Sequence, residues 1–123
     1  MSGAESLVEV KGPEQFDTVV IEGSAQQVVV VDFWAPWCGP CRVLGPVLER
    51  VVAALAGKVR LAKVNVDEPE NQPLAVQYRI RGIPTVKIFR DGKMVSDFVG
   101  ALPPAEVQRQ IESALGGAGG PGR

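Results

Sequence analysis

Apolar residues along the chain fall into continuous runs and helically spaced stripes, and each kind predicts a different element. Val28-Val29-Val30-Val31-Asp32-Phe33-Trp34 is continuous and β-branched, the pattern of a strand buried on both faces between helices. Over residues 38–56, Val43, Leu44, Val47, Leu48, Val51, Val52 and Leu55 recur at helical spacing, and Gly57 stands where a C-terminal cap belongs. Pro46 inside this stripe predicts a kink. Residues 7–10 read as a short strand. A short helix opens at Pro13 with Phe16, Val19 and Val20 on one face. Residues 59–66 form another strand pattern. Asp67 and Glu70, three apart, predict a capped start to a short helix that buries Leu74 and Tyr78. Residues 85–89 and 94–99 read as strands joined by Asp91-Gly92, a strong hairpin signal. A last helix from about Pro104 carries Val107, Ile111 and Leu115 on one stripe.

The predicted order is β-α-β-α-β-α-β-β-α, which implies an α/β fold: a central mixed sheet of about five strands with helices on both faces. A single domain is expected over residues 1–115, with residues 1–7 a ragged start. Residues 116–123 are a glycine-rich tail with nothing to bury, expected to be flexible.

Composition narrows the chemistry. The chain has 123 residues, 13 basic and 14 acidic side chains and no histidine. That length suits one domain with one core. Near-neutral charge gives no footprint for nucleic acid or an anionic membrane surface, and no apolar run approaches the length of a membrane span. The first residues carry neither a basic nor an apolar signal segment, so a cytoplasmic location is expected. Lack of histidine excludes Ser-His and Cys-His nucleophile pairs and any histidine-containing metal site. The two cysteines, Cys38 and Cys41, cannot supply a four-ligand zinc site or a disulfide framework. No metal or cofactor is therefore expected. No large apolar stripe is left for a partner subunit, and a monomer is expected.

Trp37-Cys38-Gly39-Pro40-Cys41 lies between the buried strand and the amphipathic helix. A cysteine at a helix N-terminus faces unsatisfied backbone N–H groups and the positive end of the dipole, both of which favour thiolate. Cys38 takes that place as an exposed nucleophile. Cys41, one turn further in, is more shielded. Thiol–disulfide exchange needs this asymmetry, with one sulfur attacking and a second resolving the mixed disulfide. Gly39 is expected to permit the turn, and Pro40 fixes φ early in the helix without losing a hydrogen bond.

These residues, Trp34-Ala35-Pro36-Trp37-Cys38-Gly39-Pro40-Cys41, together with Arg81-Gly82-Ile83-Pro84-Thr85, resemble the thioredoxin family. The likeness runs from about residue 8 to residue 115. It implies the thioredoxin fold and a dithiol carrier that reduces disulfides in target proteins and is recharged by a thioredoxin reductase. Asp32 matches the family's buried aspartate, a proton acceptor for Cys41, although an isolated strand aspartate more often reaches water. Lys63 matches a lysine that tunes that aspartate. Most X-Pro bonds are trans, yet the resemblance implies a cis bond at Ile83-Pro84, packed against the cysteines. Trp37, Ile83, Pro84, Gly100 and Ala101 would then line a shallow substrate groove, with Trp34 packed behind. Lys87, Gly45 and Pro103-Pro104 depart from the family pattern without touching the redox chemistry. A disulfide oxidant or isomerase of the same fold, and a non-catalytic binding module, are the alternatives. The missing histidine before Cys41 favours the reductant.

Overall fold

The computed structural model describes residues 6–55 and 57–116. Most of the expected ragged start (residues 1–5), Ala56 and the glycine-rich tail beyond residue 116 lie outside the described residues.

The run of valines forms the central strand β2 (Val28–Trp34), with residues 28–33 all buried. Its neighbours are β3 (Val59–Asn65) and β4 (Thr85–Arg90), and the sheet is completed by β1 (Leu7–Glu9) and β5 (Lys93–Val99) in the order β1-β3-β2-β4-β5. β1, β3 and β2 run parallel, while β4 and β5 are antiparallel, so the sheet is mixed as expected. Alternation along β2 divides the core. Val28 and Val30 pack with Leu44, Leu48 and Val52 of α2 (Gly39–Ala54) and with Val107 and Ile111 of α4 (Pro104–Leu115). Val29, Val31 and Phe33 pack on the opposite face with Phe16, Leu74 and Phe89. Helical cover on both faces explains why β2 can be apolar without interruption, apart from Asp32.

Three elements differ from the sequence reading. Val43, counted on the apolar stripe of α2, is 65% exposed. Leu44, Leu48 and Val52, spaced i,i+4, already define the buried stripe, and the neighbouring position turns away from it. The first helix, α1 (Pro13–Phe16), continues as a π-helical segment, Asp17–Glu22, and a 3₁₀ turn, Gly23–Ala25. Asp67 caps nothing: the segment after β3 begins as a 3₁₀ turn, Pro69–Asn71, behind Glu68, before α3 (Gln72–Gln77). Asn71, fully buried, ties this segment down by accepting from the Gly12 N–H and donating to the Val10 and Asn65 carbonyls.

α2 runs through Pro46 to Ala54, and Gly57 has φ +80°. Asp91 and Gly92, at φ 54° and 78°, close the β4–β5 hairpin in the left-handed region that such a turn demands. Lys87 is nearly buried on the sheet but carries its ammonium to Asp97 on β5, at 3.3 Å. Among the described residues, no helix is long and apolar enough to cross a membrane.

The division of α2 into a buried and an exposed face can be tested by paired truncation. Leu48→Ala should lower stability by about 2–5 kcal/mol, whereas Val43→Ala on the same helix should change it by no more than ~0.5 kcal/mol. Urea unfolding midpoints of the two variants read this directly, and equal losses would contradict the assignment of faces.

Candidate functional site

The C-terminal end of β2 runs through Ala35 into a turn, and Cys38 becomes the N-cap of α2 with extended backbone angles. At this position the first backbone N–H groups of a helix lack partners within it. The sulfur of Cys38 accepts one of them, the N–H of Cys41, at 3.2 Å. Cys38 and Cys41 are joined as a disulfide with Cα atoms 5.2 Å apart. Pro40 lies in the first turn, where its missing N–H costs nothing.

Two features of the pair differ from the sequence reading. Cys38, expected to be exposed, is 4% exposed in the disulfide form, against 3% for Cys41. The sulfurs share one apolar nest with Ala35, Trp34, Val66 and Ile83, so the asymmetry between them lies in the N–H bond to Cys38 rather than in exposure. Gly39 does not sit in a left-handed turn, and a Cβ there would meet open space. The backbone conformation gives no requirement for glycine at this position.

The loop before β4 reaches the pair from the other side. Its Ile83-Pro84 bond is cis, and the Ile83 carbonyl oxygen lies 3.7 Å from Cys38 Sγ. The Gly100 N–H bonds to the Pro84 carbonyl at 2.8 Å, which brings the segment after β5 alongside the same loop. Gly100 has φ +95° and its neighbour Ala101 is exposed. Trp37 is 66% exposed and donates its indole N–H to Asp67 at 3.2 Å. Ile83 thus packs against the disulfide, Trp37 precedes Cys38 in the chain, and Gly100 with its neighbour Ala101 adjoins the Pro84 loop. The role of Asp67 as an anchor for Trp37 was missed in the sequence because an Asp-x-x-Glu spacing reads equally well as a helix cap.

Asp32, in step with Val28 and Val30, lies on the face of β2 that meets α2 and is 1% exposed. Its Oδ1 has no hydrogen-bond partner among the described residues. Burial pushes its pKa from 3.8 to about 7; the Lys63 cation opposes this and the Glu49 carboxylate adds to it. Lys63 is the cross-strand neighbour of Asp32. Its ammonium lies 3.6 Å from Glu49 and 4.6 Å from the centre of the Trp34 ring. Lys63 therefore belongs to the layer around Asp32 and not to the groove. Glu49 went unremarked in the sequence, where it is one of several charges along α2.

A disulfide at the start of a helix, next to a cis-proline loop, with a buried carboxylate on the strand that leads to it, on a five-stranded mixed sheet, defines the thioredoxin class of protein. The thioredoxin family model matches residues 7–113. A thioredoxin from Chlorobaculum thiosulfatiphilum is 45% identical over 103 residues, covering 84% of this chain and 92% of that protein. A chloroplastic M-type thioredoxin from Chlamydomonas reinhardtii is 41% identical over 102 residues, covering 83% of this chain and 70% of that protein. The solved structure of a mutant thioredoxin from Halobacterium salinarum superposes with a TM-score of 0.78 at 39% identity, covering 92% of this chain and 93% of that one. The chain belongs to the thioredoxin family and is a thiol–disulfide oxidoreductase of the protein-disulfide-reductase type.

The raised pKa of Asp32 has a consequence for stability. Between pH 3.8 and about 7 the folded state holds a proton that the unfolded state has released, so stability falls as pH rises through that window. A shift of this size corresponds to on the order of 4 kcal/mol as an upper bound. Asp32→Asn should therefore stabilise the protein at pH 8 and do little at pH 3.5. Denaturant midpoints at the two pH values test this, and an equal effect at both would rule out a raised pKa at Asp32.

Proposed function

We propose that Cys38 is the attacking sulfur and Cys41 the resolving one, within the domain that spans residues 1–115. The observation that carries this assignment is the Cys41 N–H aimed at Cys38 Sγ from the first turn of α2. The same N–H, together with the helix dipole, stabilises negative charge on Cys38 once the pair is reduced. The Cys38 thiolate attacks a target disulfide, forming a mixed disulfide and expelling one target thiolate. Cys41 then gives its proton to Asp32 and attacks Cys38 Sγ, which releases the second target thiolate and leaves the Cys38–Cys41 disulfide. Two electrons have passed to the target. A pKa of about 7 suits Asp32 to accept that proton at neutral pH, and Lys63 tunes its affinity for it. Gly39 and Pro40 act in setting the redox balance.

Trp37, Ile83, Pro84, Gly100 and Ala101 form the groove that receives the target. Ile83 lies just before β4 begins at Thr85, so its backbone is placed to pair with an extended segment in the manner of an added strand. Targets are disulfide-containing proteins. A thioredoxin reductase is the partner that returns the pair to its dithiol form. One chain contains the whole site, which suits action as a monomer. A cytoplasmic location, where thiols are kept reduced, suits this direction of electron flow.

Cys41→Ser should accumulate covalent adducts between Cys38 and target proteins that dissolve on treatment with a thiol reductant. Cys38→Ser should accumulate none; adducts formed only by the latter variant would reverse the two roles. Titration of the pair against reduced and oxidised glutathione should place its potential at the reducing end of the range for thioredoxin-fold proteins. A value at the oxidising end would make the protein a disulfide donor instead.

A further inference from the structure

Cys41, Gly45 and Glu49 follow one another at i,i+4 spacing along α2. Such residues share one side of a helix. Gly45 and Glu49 meet Lys63 on β3: a Cβ at position 45 would stand 3.7 Å from Lys63 Nζ, and the Glu49 carboxylate lies 3.6 Å from it. Lys63 is in register with Asp32 on the adjacent strand, and neighbouring residues in register project to the same face of a sheet. Its ammonium has 14% side-chain exposure and rests over the Trp34 ring, while Glu49 is 46% exposed. One cation therefore has a half-exposed carboxylate as its ion-pair partner and a buried one as its cross-strand neighbour. It pairs with Glu49, and Asp32 Oδ1 has no hydrogen-bond partner among the described residues.

We propose that Glu49 is a positioning residue for the redox reaction: by holding the Lys63 ammonium on the outer side of the sheet layer, it leaves Asp32 free to carry a proton. When Asp32 ionises, the ammonium turns toward it and Glu49 is released to water. Gly45 sets no side chain in the way of this movement, where a Cβ would touch Lys63 Nζ at 3.7 Å. Two effects of Glu49 act in the same direction. Its own negative charge disfavours a second carboxylate nearby, and its claim on Lys63 removes the cation that would stabilise ionised Asp32. Both raise the proton affinity of Asp32. The charged groups facing Asp32 are Lys63 from β3 and Glu49 from α2, with the Cys41 sulfur on the same side of α2; β4 presents Val86. Because Glu49 is half exposed, salt should weaken its hold on Lys63.

The catalytic consequence rests on Asp32 being the proton acceptor for Cys41, but the coupling itself does not. It is tested by following the Asp32 carboxyl carbon by NMR across pH 5–9 in the full-length oxidised protein. Glu49→Gln should lower the titration midpoint by roughly half to one pH unit, a threefold to tenfold change in proton affinity. Glu49→Asp, which keeps the charge, should restore most of it. Lys63→Met should raise the midpoint. In the Lys63→Met background, Glu49→Gln should have less than half of its original effect, since one of its two routes is gone. An unmoved midpoint in Glu49→Gln overturns the proposal, and so does an undiminished shift in the double variant, which would reduce Glu49 to a distant charge. The pH profile of mixed-disulfide resolution then separates the two readings. If the NMR midpoint moves and the kinetic profile does not, Glu49 controls Asp32 but Asp32 is not the base.

Discussion

Everything at the site depends on β2 being buried on both faces. A strand without a solvent face forces helices onto both sides of the sheet, and its uninterrupted valines supply the core for each layer. The same constraint aims the chain. Leaving the sheet at its C-terminal end, β2 passes within a few residues into the N-terminus of α2, and the cysteines lie at that passage. It also determines the state of Asp32. On a strand with one wet face an aspartate would ionise in water; on β2 it has nowhere to go but the interior, and its pKa rises to about 7.

The chain thereby sets up two opposite electrostatic environments within one helix turn and one strand. At the N-cap, a backbone N–H and the helix dipole favour negative charge on a sulfur. On the strand that leads to it, desolvation disfavours negative charge on a carboxylate. Thiol–disulfide exchange uses both, since one group must be an anion at neutral pH and another must be ready to take a proton. A chain with a histidine could assign the second task to an imidazole. This one has none, and the group proposed for that task is a displaced carboxylate.

What could be read in the sequence followed from how local each signal is. The valine run, the stripe of α2 and the Asp91-Gly92 turn are encoded within a few residues, and each formed as expected except for Val43 at the edge of the stripe. The Cys38–Cys41 spacing was legible for the same reason. Asp67 was misread because its partner, Trp37, lies 30 residues away, and a local pattern offered a sufficient alternative. Val43 was misplaced because helical spacing leaves the edge of a stripe ambiguous by one residue. The cis bond before Pro84 and the placing of Lys63 in register with Asp32 could not be derived from the residues themselves; they entered through the resemblance, since strand register and loop packing are properties of the assembled sheet. Glu49 gave no signal, as a glutamate on a helix reads as a solvated charge until β3 is seen beneath it.

The energetic logic of Asp32 links these layers. An ionisable group that destabilises the fold at neutral pH is a poor choice for structure, and an isosteric asparagine would hold the position with less cost. What the carboxylate adds over an asparagine is a group that titrates near neutral pH. The surroundings agree: a fully apolar cage would push the pKa above the working range, and a direct ion pair with Lys63 would return it to that of an ordinary aspartate. A nearby cation that is held by another carboxylate lies between these extremes. Under the proposed coupling, control of the proton at the centre of the sheet passes to a half-exposed position on α2, two turns beyond Cys41.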